Sequence, residues 1–331
     1  MSNLATVQTT QTDTELMQQY LREILLSPVY QAAVETPLDA MAKLSQRLDH
    51  NVLLKREDKQ PVYSFKLRGA FHKLHKVQQQ NPDARVVCAS AGNHAQGVAL
   101  SASKLGLNAT IVMPITTPEI KVAAVKALGG NVVLHGTAFD EANSYAINLA
   151  NTEGAIYIPP FDDFDIIAGQ ATVTLEILAA QVPDFLFVAI GGGGLAAGAA
   201  LVLPASTSLI GVEPAGAPSM QQSLAASEVV VLPEIDRFVD GASVKQVGLK
   251  TFSICQQGLS RMLTVSKKDL CQTMLDLYAL KSMIVEPAGA LSVAGLAQMA
   301  DEIKGKTVVC VISGGNFDPK RFPEIKLLAS S

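Results

Sequence analysis

The sequence predicts an α/β protein whose parallel sheets carry helices on both faces. Three observations predict it. Apolar runs of strand length alternate with helix-length segments along most of the chain. The strand runs are continuously apolar rather than alternating, as strands buried on both faces are. Glycine, proline and asparagine punctuate the boundaries. With 331 residues, 48% of them apolar and 17% charged, the chain is long enough for about two domains with large cores.

The clearest stretch lies between residues 85 and 158. Arg85-Val86-Val87-Cys88-Ala89 reads as a strand and Asn93 to Leu105 as a helix. Ala109 to Met113 is the next strand, ended by Pro114. A helix follows from Pro118 to Leu128, with proline favoured in its first turn and Gly129-Gly130 as its stop. Asn131 to Leu134 is a strand, Phe139 to Glu153 a helix, and Ala155 to Ile158 a strand before Pro159-Pro160. The later half repeats the style, with helices at 169–180, 195–202, 267–280 and 287–299 and strands at 185–190, 209–212 and 307–312.

Composition excludes several classes. A net charge of −4 without a basic cluster gives no electrostatic case for nucleic acid. No charged residue lies between Asp184 and Glu213, a length that could span a bilayer. Four glycines and Pro204 interrupt that run, and it divides into strand, loop, helix and strand. Cys88, Cys255, Cys271 and Cys310 form no CxxC pair and read as buried, reduced thiols of a cytoplasmic protein. Met1 to Glu15 is polar, lacks the apolar core of a signal peptide and reads as a frayed tail.

Four short segments carry chemistry. Lys66 sits in Ser64-Phe65-Lys66-Leu67-Arg68-Gly69-Ala70. A lone lysine is ordinarily a solvated surface charge; this one occupies a short polar break between patterned stretches. To act as a nucleophile it must be neutral, which requires desolvation or neighbouring positive charge. Gly191-Gly192-Gly193-Gly194-Leu195 offers five backbone N–H groups between a strand and a helix, a geometry suited to phosphate. No Walker lysine follows, which favours a cofactor phosphate over a nucleotide. Ser90-Ala91-Gly92-Asn93-His94 also joins a strand to a helix, and its amides suit an anion. Ser313-Gly314-Gly315-Asn316 ends the last strand. Taken alone, His94 reads as structural, and Glu286 equally as a capping carboxylate.

Together these segments resemble the threonine dehydratases, pyridoxal-phosphate enzymes of the fold family of the tryptophan synthase β subunit. The resemblance runs from about Tyr20 to Asn316 and includes Ser27-Pro28-Val29-Tyr30, Thr36-Pro37-Leu38, Lys55-Arg56-Glu57-Asp58 and Ile167-Ala168-Gly169-Gln170. The N-terminal part is most similar to the biosynthetic type that opens isoleucine synthesis. The resemblance implies two three-layer α/β/α domains: a large cofactor-binding domain of residues 1–83 and 163–331, and a small inserted domain of residues 84–162.

It also implies roles. Lys66 is the lysine that binds pyridoxal phosphate as an imine and then takes the substrate α-proton. Phe65, Gly241 and Glu286 line the cofactor, and Gly191, Gly192, Gly193, Gly194 and Leu195 hold its phosphate. Asn93 meets the phenolic oxygen and Ser313 the pyridine nitrogen. Ser90, Ala91, Gly92, Asn93 and His94 bind the substrate carboxylate. A hydroxyl at Ser313 cannot keep the ring protonated as a carboxylate would, which favours loss of a β-hydroxyl over transamination. The implied substrates are L-threonine and L-serine, converted to 2-oxobutyrate or pyruvate with release of ammonia, in a homodimer or homotetramer. No resident metal is expected. Racemase relatives bind a divalent cation near the position of Glu213, but the second acid they need falls at Ser219.

The chain departs from the pattern in places. Gly169-Gln170-Ala171-Thr172 has a methyl where glycine is common, and Gly315 stands where the biosynthetic type has alanine. It ends 15 residues after Asn316, whereas the biosynthetic type carries a C-terminal domain that binds isoleucine; insensitivity to isoleucine is therefore expected. Three alternatives stand beside this reading. Serine racemisation needs a second acid/base, which the eukaryotic racemases supply with a serine at the position of Ala91. A serine dehydratase or a catabolic threonine dehydratase is the second. A cofactor-binding protein without catalysis need not keep Lys66, Asn93 and Ser313 together.

Overall fold

The computed structural model describes residues 11–42, 45 and 51–331. The chain opens with α1 (Gln11–Leu25), β1 (Leu38–Ala40), β2 (Asn51–Arg56) and α2 (Lys66–Gln80). Residues 1–10 of the expected frayed tail lie outside the described residues, and Gln11 to Glu15 are already helical. Next come β3 (Arg85–Ala89), α3 (Asn93–Leu105), β4 (Asn108–Met113), α4 (Glu119–Ala127), β5 (Asn131–Leu134), α5 (Phe139–Glu153) and β6 (Ile156–Tyr157). Then follow α6 (Phe164–Ala180), β7 (Phe185–Ala189), α7 (Gly194–Val202), β8 (Ser208–Pro214), α8 (Ser219–Ala226), α9 (Leu249–Gly258) and β9 (Arg261–Val265). The chain closes with α10 (Lys267–Lys281), α11 (Pro287–Ala294), β10 (Thr307–Ile312) and α12 (Phe322–Ser330).

Two sheets result. The smaller has the order β5-β4-β3-β6 and is parallel throughout. The larger has the order β1-β2-β10-β7-β8-β9, parallel except for the edge strand β1. Strand residues alternate between the faces of each sheet. In β10, Val308, Cys310 and Ile312 join one apolar cluster, and Val309 and Val311 another. In β3, Val86 and Cys88 face one cluster and Val87 and Ala89 another. Both faces are covered, so the strands carry apolar residues at nearly every position. The uncharged run from 185 to 212 divides into β7, α7 and most of β8, and no described helix is long and apolar enough to cross a membrane. All four cysteines are buried and unpaired.

The strand orders locate a site. In the small sheet the chain moves outward from β3 through β4 to β5, then returns to place β6 on the other side of β3. In the large sheet it moves from β7 through β8 to β9, then places β10 on the other side of β7. Ligands bind beyond the carboxyl ends of strands where the order reverses in this way. Those ends are the ones that carry Ser90–His94, Gly191–Leu195 and Ser313.

The structure moves some expected boundaries. The helix expected from Gly169 begins at Phe164, because the Asp163 carboxylate caps it by accepting from the amides of Asp165 (2.9 Å) and Ile166 (3.2 Å). The helix expected over 287–299 is α-helical only to Ala294 and then tightens to a 3₁₀ turn over Gly295–Met299. Gly295 lies against β8, where a Cβ would stand 2.9 Å from the Val212 side chain.

Candidate active site

Lys66 is the first residue of α2. Its Nζ donates to the Pro160 carbonyl at 2.7 Å and lies 5.4 Å from the Phe65 ring centroid and 6.0 Å from that of Phe161. Burial pulls the amine down to about 8, and Glu286 pulls the other way. Arg68, two residues on, contributes nothing to this shift. Its guanidinium points away from the cleft, into the carboxylates of Glu57 and Glu176.

Gly191, Gly192 and Gly193 form a loop without room for side chains. Gly193 has φ +93°, in the left-handed region. A Cβ on Gly192 would meet the Phe161 ring at 2.2 Å, and one on Gly191 would meet the Ala242 backbone at 2.9 Å. No described residue accepts from the backbone N–H of Gly191, Gly192, Gly193, Gly194 or Leu195. Their amides open the first turn of α7, where the helix dipole favours negative charge. The Leu195 side chain is buried in the core, so only its amide faces the loop. Such unpaired donors and the absence of side-chain room fit a phosphate monoester.

The turn Ser90–His94 is built similarly. Ser90 Oγ accepts from its own Gly92 amide at 3.2 Å, and no described residue accepts from the N–H of Ala91, Asn93 or His94. His94 itself is buried, with Nε2 donating to the Ile158 carbonyl at 3.0 Å. Burial and the nearby Lys66 push it down to about 3, so it is neutral and structural.

The remaining predicted residues converge on the same space. Asn93 Nδ2 donates to Glu286 Oε1 at 2.6 Å. Burial and Asp240 raise the Glu286 carboxyl to about 7, against the opposing pull of Asn93, Lys121 and Lys66. A Cβ on Gly241 would lie 3.7 Å from Glu286 Oε1. On Gly314 it would lie 2.1 Å from that oxygen and 3.0 Å from Asn93 Nδ2. Ser313 donates its hydroxyl to the Ala288 carbonyl at 3.1 Å, and its own carbonyl accepts from the Phe65 amide at 3.2 Å. Lys66, Phe65, Asn93, Gly241, Glu286, Ser313 and the glycine loop therefore share one cleft.

Two other positions are occupied by the protein itself. Glu213 accepts from the amides of Met220 (2.7 Å) and Gln221 (2.9 Å), and Ser219 donates to the Val244 carbonyl.

The sequence pattern missed several contributors. Pro160 read only as part of a strand stop and Phe161 carried no reading, yet one anchors Lys66 and the other lies over Gly192. Asp162 accepts from the amides of Leu249 (3.1 Å), Lys250 (2.8 Å) and Thr251 (3.2 Å), tying this strap to α9. Thr251 in turn donates to the Gly192 carbonyl at 2.6 Å. An aromatic and two carboxylates directly after two prolines were the only signal available. Asn316 donates to Asn93 Oδ1 at 2.7 Å and to the Val62 carbonyl at 2.9 Å.

A lysine of depressed basicity, a side-chain-free anion cradle and a hydroxyl at a strand end match the needs of pyridoxal phosphate. Comparison with known proteins agrees. The profile of the pyridoxal-phosphate dependent enzymes matches residues 29–314. A threonine dehydratase of Nicotiana attenuata is 48% identical over 324 residues, which cover 96% of this chain and 53% of that protein. The biosynthetic L-threonine dehydratase IlvA of Bacillus subtilis is 46% identical over 90% of this chain and 72% of its own length. The chain thus spans about half to three-quarters of these relatives. The solved processed form of threonine deaminase isoform 2 from Solanum lycopersicum superposes with a TM-score of 0.93 at 44% identity, covering 96% of this chain and 95% of that one. On the glycine cradle, the buried lysine and the match over residues 29–314, the chain belongs to the pyridoxal-phosphate dependent enzyme family.

Proposed function

We propose that this protein is a threonine ammonia-lyase. It converts L-threonine to 2-oxobutyrate and ammonia, and L-serine to pyruvate and ammonia, as the step that opens isoleucine synthesis. One juxtaposition carries the reading: the Lys66 amine and the uncommitted amides of Gly191–Leu195 flank the same Phe161 ring.

In this proposal the Gly191–Leu195 amides hold the cofactor phosphate, Asn93 its phenolic oxygen and Ser313 its ring nitrogen. Phe65, Gly241 and Glu286 line it. When bound, the cofactor supplies an aldehyde that condenses with amines and a ring that stabilises negative charge at the substrate α-carbon. Lys66 supplies the attaching amine, and its Nζ then accepts the α-proton. With the amine near 8, roughly a tenth is already neutral at pH 7, hundreds of times more than for an exposed lysine. The free amides of Ala91, Asn93 and His94, with the α3 dipole, bind and orient the substrate carboxylate. The Ser313 hydroxyl has one proton, now given to Ala288; serving an unprotonated ring nitrogen means turning it away from that carbonyl. Ala91 carries only a methyl and cannot return a proton to the opposite face of the α-carbon, which supports elimination over racemisation.

In the same reading, residues 1–83 and 163–331 form the cofactor domain and 84–162 the inserted one, a division supported by the two separate sheets. The protein works in the cytoplasm as a homodimer or homotetramer. Exposed Leu25, Leu26, Tyr30 and Val34, close together in sequence, support self-association, which light scattering would measure. The activity test is direct. Purified protein supplied with pyridoxal phosphate and L-threonine yields 2-oxobutyrate and ammonia in equal amounts. Formation of D-allothreonine from L-threonine, or of D-serine from L-serine, instead would overturn the proposal.

A further inference from the structure

We propose that Asn316 is a positioning residue that fixes which end of the Asn93 amide faces Glu286 and the cleft. An asparagine side chain has a donor end and an acceptor end of nearly equal shape, so its direction must come from its partners. Here the direction propagates from a group that cannot turn over. The Val62 carbonyl only accepts, so the Asn316 atom 2.9 Å from it is Nδ2. That nitrogen is also 2.7 Å from Asn93, so the Asn93 atom there is Oδ1. The other end of Asn93 is therefore Nδ2, and it meets the Glu286 carboxylate at 2.6 Å. A backbone carbonyl at one end and a carboxylate at the other leave the chain only one polarity.

The consequence is a directed donor. The Asn93 NH2 group has two N–H bonds, and Glu286 takes one. The second stays uncommitted among the described residues, and Gly314 leaves the space beside this contact free of a Cβ. Its use, donation to the cofactor's phenolic oxygen, rests on the proposed function; the polarity of the chain does not. Asn316 touches neither cofactor nor substrate in this account and acts only through Asn93.

The test uses the full chain as wild type, Asn316→Ala, Asn316→Asp, Glu286→Gln and the Asn316→Asp/Glu286→Gln double variant. Asn316→Ala removes one donor but leaves Asn93 held by Glu286. Asn316→Asp replaces a donor with an acceptor-only group, so Asn93 must turn over and point Oδ1 at Glu286. Glu286→Gln can donate to the turned amide. Thermal melts without cofactor, above the raised Glu286 carboxyl at about pH 8.5, should therefore be non-additive: the double variant melts above Asn316→Asp alone. Coupling of this kind is the signature of groups sharing one network. A double variant that melts at or below the additive sum overturns the proposal.

A second readout applies if the double variant does not fold. With pyridoxal phosphate bound, Asn316→Asp should lose visible absorbance to the near-ultraviolet band, and kcat should fall roughly tenfold below that of Asn316→Ala, with KM nearly unchanged. Equal spectra and equal kcat for the two variants overturn the proposal. If the wild type binds no cofactor, the functional reading fails while the melts still decide the polarity.

Discussion

Replacing Arg68 with methionine should destabilise the protein far more than any surface charge change, through a cluster that anchors the start of α2. The Arg68 side chain is 0% exposed. It donates to Glu57 twice (2.8 and 2.7 Å), to Glu176 at 2.5 Å, to Thr172 at 3.2 Å and to the Val34 carbonyl at 3.3 Å. Lys55 supplies the second cation, to Glu176 and to the Thr36 carbonyl. Two cations and two carboxylates balance; the substitution leaves one negative charge buried without compensation. Breaking a buried pair from one side costs about 3–5 kcal/mol. Burial raises the Glu176 carboxyl, but Arg68 and Lys55 outweigh it and hold the group below its ordinary value. That stabilisation is present above the unfolded pKa, about 4.3 for glutamate, and is lost as pH falls through the lower folded value. In the variant, burial of the orphaned carboxylate favours proton uptake, so the deficit should narrow as pH falls from neutrality towards about 4.3 and below. Urea unfolding of both proteins across this range measures it. A neutral-pH deficit under about 1 kcal/mol, or one independent of pH, would mean that Arg68 does not neutralise these buried carboxylates.

Three further perturbations follow from the cleft. Gly192→Ala drives a methyl into the Phe161 ring, 2.2 Å away; at about 1–3 kcal/mol of overpacking, cofactor affinity should weaken roughly 5- to 150-fold by fluorescence titration. Asp162→Ala removes an acceptor from three amides at the start of α9; a loss of about 0.5–2 kcal/mol in denaturant unfolding is expected, and an unchanged midpoint would show that the strap is not held there. The rate at which cofactor-free protein captures pyridoxal phosphate should rise with pH as the Lys66 amine loses its proton, and level off above its value of about 8. A plateau reached only near the ordinary lysine range would mean that burial does not depress this amine.

Much of the framework was readable because neighbouring residues decide it. From β3 to β6 each strand is a local apolar run bounded by turn residues, and the four motif segments sit where strand ends meet loops or helix starts. What was missed depends on partners distant in sequence. Lys55 and Arg56 of β2 were quoted only within their motif; Lys55 is buried because Glu176 reaches it from 121 residues away, which no local pattern shows. Phe161 matters only because its ring lies over Gly192. Asn316 was visible within its motif, but its role requires Val62 and Asn93 to meet it from 254 and 223 residues away.

Lys66, among all the lysines of the chain, is the one proposed to carry the cofactor. Reconstitution with pyridoxal phosphate, reduction with borohydride and peptide mapping by mass spectrometry test it in one measurement. The reduced pyridoxyl group should appear on the peptide containing Lys66, with no stable attachment or turnover in Lys66→Ala. A stoichiometric label on another lysine, with Lys66 unmodified, would contradict it.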